Sequence, residues 1–450
     1  MTNAARASAD DRRPDLLVIG VGLTVVCHLW RVPDLFPVLG PLRLMILSAV
    51  ACLAGLVLSR RGERSLTRLF TPVTAPLLAL VALMVLSIPT SLDPQLSTVF
   101  LFKDLLPRVL LGVLIAGSIR NRRDLEWIML ATLAGCWMYT AMMMVRAPRA
   151  TGPTGWTDLA MYDRNDFALL AVCALPLAIY FLRREAGRSR RIFGALTMMV
   201  LLYVIARGGS RGGFLGLTAV LGFMALRYRA VPARVRFGAV LAGALAIGVL
   251  GGTRYRTQLA TLLNPTQDYN WSGRDYNGRL ELWKRGRGYI ADHPVVGIGL
   301  AAYTVAEGEL SEVARERLAH GQEVTPLQAH DMFIQIAAEL GLPALVAFVF
   351  LLWRFYRTTR DVRRALDTPR ETSRPPEHAL AVALTASLLG FIVCGVFLSA
   401  AYFAQFFIMV GFVGGLAKLC PVWATRRAPV APYAPVWVGN DAAAALPPIQ

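Results

Sequence analysis

The fold class this sequence predicts is an all-α polytopic membrane protein, and three observations carry that reading. Of 450 residues, 55% are hydrophobic and only 17% charged, against about 25% charged in an ordinary soluble domain. Mean hydropathy is +0.49, and a soluble chain of this length needs far more polar surface to cover its core. The apolar residues also fall into runs approaching the ~20 residues a helix needs to cross a bilayer, separated by short Arg-rich stretches. Together these exclude a soluble enzyme, a disordered chain and a fibrous protein.

Taken in order, the runs predict spans over 16–30, 39–58, 72–89, 97–118, 125–145, 167–182, 192–206, 213–226, 237–252, 331–353, 379–400 and 403–418, about twelve in all. Residues 1–252 thus hold the first nine spans, 253–330 form one large hydrophilic segment, and 331–418 hold the last three. Residues 419–450, rich in Ala and Pro, are expected to be a disordered cytoplasmic tail. Within the large segment, Leu280–Ile290 and Val305–Leu318 read as helices around a Pro/Gly-bounded turn, HPVVGIGL. The first apolar run lacks a small-residue cleavage site after it, so no cleavable signal peptide stands out. The six cysteines lie in or beside apolar runs and show no metal spacing, which supports neither a disulfide framework nor a zinc site.

The net charge of +18 would suggest nucleic acid in a soluble protein. Here it reads as sidedness. With both termini cytoplasmic, the cytoplasmic segments carry 29 Lys and Arg and the opposite side 15, as the positive-inside rule requires. No nucleic-acid partner is expected, and the large segment faces away from the cytoplasm.

Arginines that break the rule are the informative ones. The loop after span five holds Arg146, Arg149 and Arg164, and RGGSRGG holds Arg207 and Arg211. The long segment adds Arg254, Arg256, Arg274, Arg279, Lys284, Arg285 and Arg287. A guanidinium presents a planar fork suited to phosphate, and glycines beside Arg207 and Arg211 let backbone N–H groups approach an anion. Two readings stand: a site for a lipid-linked phosphate or pyrophosphate, or arginines held by phospholipid headgroups and by Asp158, Asp163, Asp166, Asp268 and Asp275. Inside span four, Lys103 and Arg108 are ionisable residues at membrane depth and so candidate ligands, although Asp104 and Arg108 are spaced to pair with each other. His330 stands where the long segment returns to the bundle, and an imidazole there can accept a proton at neutral pH. Asp331, Gln335 and Glu339 form a polar stripe behind it, with Asp331 and Glu339 as candidate orienting partners. Gly341 and Pro343 permit a kink. A helix-start histidine satisfied by a backbone carbonyl is the alternative. No carboxylate or histidine cluster has metal-ligand spacing, so no metal and no cofactor is expected.

At these residues the chain resembles the O-antigen ligases and the related O-antigen polymerases and O-linked oligosaccharyltransferases. The matching stretches are YDRNDFALL (162–170), ARGGSRGGFLGL (206–217), NGRLELWKRGRGYIADHPVVGIGLAAY (277–303) and AHDMFIQIAAELGLPALVAF (329–348). The resemblance implies a GT-C-like glycosyltransferase of the bacterial inner membrane, active on the periplasmic face. It would move a glycan from undecaprenyl pyrophosphate to a sugar hydroxyl of the lipid A–core oligosaccharide, by an inverting, metal-independent displacement. The family's essential histidine falls on His330, its essential arginines on Arg211 and Arg279, and its Arg-Asn pair on Arg164 and Asn165. Many members carry His-Asn where this chain has His330-Asp331. Arg207, Arg254, Arg287, Lys103 and Arg108 complete the predicted pyrophosphate and glycan contacts. The single long external segment fits the ligase branch, and no Arg in it has Gly eleven positions on, a spacing common in the polymerases. An O-antigen polymerase is the alternative within the superfamily. A twelve-helix secondary transporter is the alternative outside it, weakened by the unlike halves of the chain.

Overall fold

Long apolar runs have one way to satisfy their backbone groups in a dry environment, the α-helix, and helices lie over every predicted span in a computed structural model of the chain. The structure describes residues 14–30, 38, 42, 44–59, 62–64, 66–146, 163–250, 252, 259–261, 268, 270–273, 275–323, 327–367 and 375–420. The helices are α1 (Leu16–Trp30), α2 (Leu44–Val57), α3 (Thr74–Leu86), α4 (Pro94–Phe100), α5 (Leu106–Ser118), α6 (Arg122–Arg146), α7 (Arg164–Tyr180) and α8 (Arg188–Gly208). They continue as α9 (Arg211–Arg227), α10 (Ala233–Leu245), α11 (Arg279–Asp292), α12 (Tyr303–Glu309), α13 (Glu312–Ala319), α14 (Met332–Ala365), α15 (Pro376–Gly395) and α16 (Ala404–Leu419). Among the described residues there is no strand.

Two helices form the centre: α7 is buried at every position from Phe167 to Tyr180, and α16 from Gln405 to Ala417. α7 packs on α8, α9 and α15; α16 packs on α5 and α15. Small residues set these approaches. A Cβ on Gly411 would lie 2.6 Å from the carbonyl of Gly112, and one on Gly213 would lie 2.6 Å from Ala168 Cβ, as membrane helices in close contact require. On the outside, Phe237, Leu241, Leu245 and Val249 make an exposed apolar stripe along α10 and the π-helical turn that follows it. That surface belongs in lipid. Among the described residues, three helices, α8, α14 and α15, are individually long and apolar enough to cross a membrane. The protein is a membrane protein.

Span four is broken as its charges suggested. Between α4 and α5 the chain widens into a π-helical turn, Leu101–Leu105. Pro107 follows in the first turn of α5 and has no N–H to return to the preceding turn. Asp104 and Arg108 pair at 3.0 Å.

The bundle's two ends are built differently. At the end where α7 finishes and α8 begins, Glu126 of α6 takes Arg183 and Arg190, accepts Tyr180 OH at 2.7 Å and lies 3.6 Å from Arg122. Beside it Asp15 pairs with Arg64 at 2.6 Å, and Arg120 pairs with Asp124 at 2.7 Å.

At the other end the polar segment forms a small helical unit. Tyr289, Ile298, Ala302, Tyr303, Ala306 and Ala329 share a core with Ala338 of α14. Glu307 ties it together, bonding Arg285 at 2.7 Å and Tyr289 OH at 2.9 Å. Burial alone would lower the Arg285 pKa, but Glu307 beside it holds the net shift upward. The predicted helix Leu280–Ile290 is α11. The predicted Val305–Leu318 helix is two, α12 and α13, because Ser311 accepts the Ala314 N–H and starts a new helix.

The His293–Leu300 turn is spliced into α14. Gly341 breaks that helix at φ 81°, the left-handed region that favours glycine. Pro343 offers no N–H to the carbonyl of Glu339; the N–H of Gly299 bonds it instead, at 2.8 Å. Ile298 N–H bonds the Ala338 carbonyl at 2.9 Å, and the Leu342 N–H turns to Pro294 O at 2.8 Å. The turn's far side is held by Leu92 N–H on Ile298 O at 2.9 Å and by Ser97 Oγ on Leu300 O at 2.7 Å.

Candidate functional site

Three helix ends converge where the helical unit meets the bundle. Asp163 caps α7, its Oδ1 accepting the N–H groups of Asn165 at 2.6 Å and Asp166 at 2.8 Å. The cap fixes Arg164 as the first helical residue, and Asn165 Nδ2 donates to the second Asp163 oxygen at 3.3 Å. α8 ends on Gly208, followed by Gly209 at φ 65°, which turns the chain so that Ser210 can cap α9 through the Gly213 N–H at 3.1 Å. Arg207 is exposed in the last turn of α8, and Arg211 opens α9. A Cβ on Gly208 would lie 3.5 Å from the Arg164 carbonyl, so the α7 start and the α8 end are neighbours. The N-termini of α7 and α9 add positive dipole ends to this corner.

Arg211 reaches across to the polar segment. It pairs with Asp268 and donates to Thr261 Oγ1 at 2.8 Å. Asp268 also builds a turn, accepting the Asn270 N–H and Nδ2, each at 3.0 Å, while its carbonyl accepts Trp271 N–H at 3.0 Å. The Asn270 carbonyl then receives Leu280 N–H at 3.0 Å, which seats the start of α11. Arg279 is the first residue there, its guanidinium 5.9 Å from the Phe397 ring.

His330 faces this group. It holds φ 51°, a region costly for a side-chain-bearing residue and commonest at functional sites. Its N–H is fixed by Ser399 Oγ at 2.9 Å. Burial lowers the imidazole pKa, the Arg279 charge lowers it further, and Asp163 opposes them. The group is therefore a neutral imidazole at pH 7, able to take a proton.

The two carboxylates behind it are committed elsewhere. Asp331 caps α14, accepting Phe333 N–H at 2.7 Å and Ile334 N–H at 2.8 Å. Glu339 accepts Ala301 N–H at 3.1 Å, Tyr303 N–H at 3.4 Å and Tyr402 OH at 2.6 Å.

The structure thus gathers Arg164, Asn165, Arg207, Arg211, Arg279 and His330 in one corner. Arg108 lies on its flank, donating to the Tyr402 carbonyl at 2.9 Å. Lys103 is exposed on the π-helical turn, and Arg287 is exposed two turns along α11 from Arg279. Arg254 lies outside the described residues, as do Arg149, Arg256 and Arg274. Ser399, Phe397, Trp271 and Tyr402 were not read from the sequence as part of this corner. For Phe397, Ser399 and Tyr402 the signal was a run of polar and aromatic residues, FLSAAYFAQ, interrupting the last apolar stretch.

Residues 196–349 match a family model described as O-antigen ligase. The matched region, about a third of the chain, is similar to the O-antigen ligase family. It runs from α8 through the break in α14 and holds Arg207, Arg211, Arg279 and His330; Lys103, Arg108, Arg164 and Asn165 precede it. Members of this superfamily of ligases and polymerases are glycosyltransferase-like enzymes that act on lipid-linked glycans. No curated protein matches the chain.

Proposed function

We propose that this protein is an O-antigen ligase of the bacterial inner membrane. It transfers a polysaccharide from undecaprenyl pyrophosphate to a sugar hydroxyl of lipid A–core. About twelve spans put both termini in the cytoplasm and Thr253–Ala329 in the periplasm, a sidedness supported by the 29-to-15 Lys and Arg asymmetry.

The observation that carries the chemistry is His330, held at φ 51° within the field of Arg279. The acceptor hydroxyl oxygen attacks the anomeric carbon from the face opposite the leaving group, and His330 takes its proton. The anomeric C–O bond to phosphate breaks, and the pyrophosphate departs with the electron pair. Arg211 and Arg279 meet the charge that grows on its oxygens, with Arg164, Asn165, Arg207, Arg254 and Arg287 as further contacts and Lys103 and Arg108 on the flank. A single in-line displacement inverts the anomeric centre. Asp331 and Glu339 act on His330 indirectly, by fixing the start of α14.

The test is a purified protein given lipid-linked glycan and lipid A–core without an ion gradient. Transfer is expected; gradient-driven uptake without transfer would identify a carrier. The family match covers polymerases equally, and a lipopolysaccharide gel from a deletion strain separates the two. A ligase null keeps full-length lipid-linked chains that never reach lipid A, whereas a polymerase null leaves at most one repeat on the core.

A further inference from the structure

Trp271 occupies a position that its turn does not explain. The turn is closed by Asp268 and by backbone bonds to Trp271 N–H and Ser272 N–H at 3.0 and 2.9 Å, which any residue could supply. The indole is half-buried and belongs to neither hydrophobic core. Instead it is linked to both guanidinium positions, through its own turn to Arg211 and through a shared ring neighbour to Arg279. On one side Asp268, three residues before it, holds Arg211. On the other, the indole meets the Phe397 ring edge-on at 6.3 Å, and Arg279 lies over that same ring. Trp283 and the indole form a second T-shaped pair, centroids 5.2 Å apart. Ser399, two residues beyond Phe397, holds the backbone of His330.

We propose that Trp271 is the sugar-contacting residue of the donor site, its indole taking the apolar C–H face of the pyranose joined directly to the diphosphate. The inference rests on the donor site proposed above. A pyranose carries hydroxyls around its rim and C–H bonds on its faces, so a rigid aromatic wall beside a charged clamp matches a sugar diphosphate and not a diphosphate alone. Aromatic rings supply such contact with little conformational entropy to lose. The two arginines hold the diphosphate, and the indole reads the ring next to it.

The experiment measures binding of two lipids to full-length protein in nanodiscs: a polyprenyl diphosphate, and the same lipid bearing one N-acetylhexosamine. Wild type is expected to prefer the sugar-bearing lipid. Trp271→Leu, which keeps apolar volume but has no ring face, should weaken that lipid about 3- to 10-fold and leave the bare lipid unchanged. Trp271→Phe should restore much of the preference at an unchanged melting temperature. Equal weakening for both lipids, or no change for either, overturns the proposal and leaves Trp271 a packing residue. Wild type that binds neither lipid overturns both this inference and the function it rests on. Wild type that shows the Trp271-dependent preference yet transfers nothing to lipid A–core supports the inference and overturns only the ligase reading.

Discussion

Glu126 and Asp163 stand at opposite ends of the bundle and use their oxygens differently. Glu126 is 1% exposed and gives its carboxylate to arginines, taking Arg183, Arg190 and the Tyr180 hydroxyl. Asp163 gives its carboxylate to the backbone, capping α7 through two N–H groups. Asp331 at the start of α14 does the same. Among the described residues no carboxylate pairs with Arg164 or Arg207. The contrast separates two uses of the same side chains. At the Glu126 end, positive charge closes a structure. At the His330 end the uses are mixed: Asp163 and Asp331 cap helices, while Asp268 still pairs with Arg211.

The sharpest way to break that contrast is at His330. A positioned base contributes roughly 10²–10⁴-fold, or about 3–5 kcal/mol of barrier, so His330→Ala should lose transfer by at least ~100-fold without losing donor binding. His330→Gln keeps hydrogen bonding but takes up no proton. A nearly active Gln variant would reduce the histidine to a positioning group. Because burial and Arg279 lower its pKa, the neutral form persists below the usual imidazole value of about 6.5. Transfer should therefore fall only at a lower pH than that, along an acid limb absent from the Gln variant.

Next comes Glu126→Ala, which strands the buried Arg183 and should destabilise the protein by about 3–5 kcal/mol. Thermal unfolding in detergent reads the loss, while the rate per folded molecule should hold. An altered KM for the lipid-linked donor would mean that this end is not purely structural. A smaller effect is expected from Arg211→Lys and Arg279→Lys. Each keeps its charge but loses the bidentate fork, with roughly 10- to 100-fold less transfer. Full activity in both would leave simple charge as the requirement. The smallest effect expected is none: transfer should survive excess chelator. Among the described residues no three His, Cys, Asp or Glu side chains gather to hold a metal. Loss on chelation with rescue by Mg²⁺ or Mn²⁺ would show that arginines do not carry the phosphate charge alone.

How much of this was legible follows the range of the interactions. The helices were, because hydrophobic runs are local. So was the break near Gly341 and Pro343, because those residues impose their own backbone geometry. The Asp104–Arg108 pair was readable from spacing, and Asp268 stood among the acids that could hold an arginine. The division between α12 and α13 escaped because an apolar, helix-favouring run outweighed a single capping serine, Ser311. Within the site, residue types marked a wide set of arginines and one histidine, and the resemblance to O-antigen ligases singled out Arg211, Arg279 and His330 among them. Their supports were not marked. Ser399 reaches His330 across 69 positions, and Phe397 meets Trp271 between elements that only the packed bundle brings together. Glu339 read as a partner for His330 because the stripe pointed inward. Its hydrogen bonds go to the Tyr402 hydroxyl and to backbone groups of a loop whose path no local pattern specifies.

The splice at Gly341 has a mechanical meaning. The His293–Leu300 turn is bonded on both sides of the break, to the Ala338 and Glu339 carbonyls before it and by Leu342 N–H after it, so a rotation with Gly341 as pivot would carry His330 at the tip. Eleven residues separate tip and pivot, an arm of about 16 Å at 1.5 Å per residue. A rotation of about 5° at the pivot would swing the imidazole by roughly 1.4 Å, and a misplacement near 1 Å can slow a reaction about a hundredfold. The hydrogen bond from Gly299 to the carbonyl that Pro343 leaves vacant would thus oppose such a rotation from beside the pivot, far along the chain from His330.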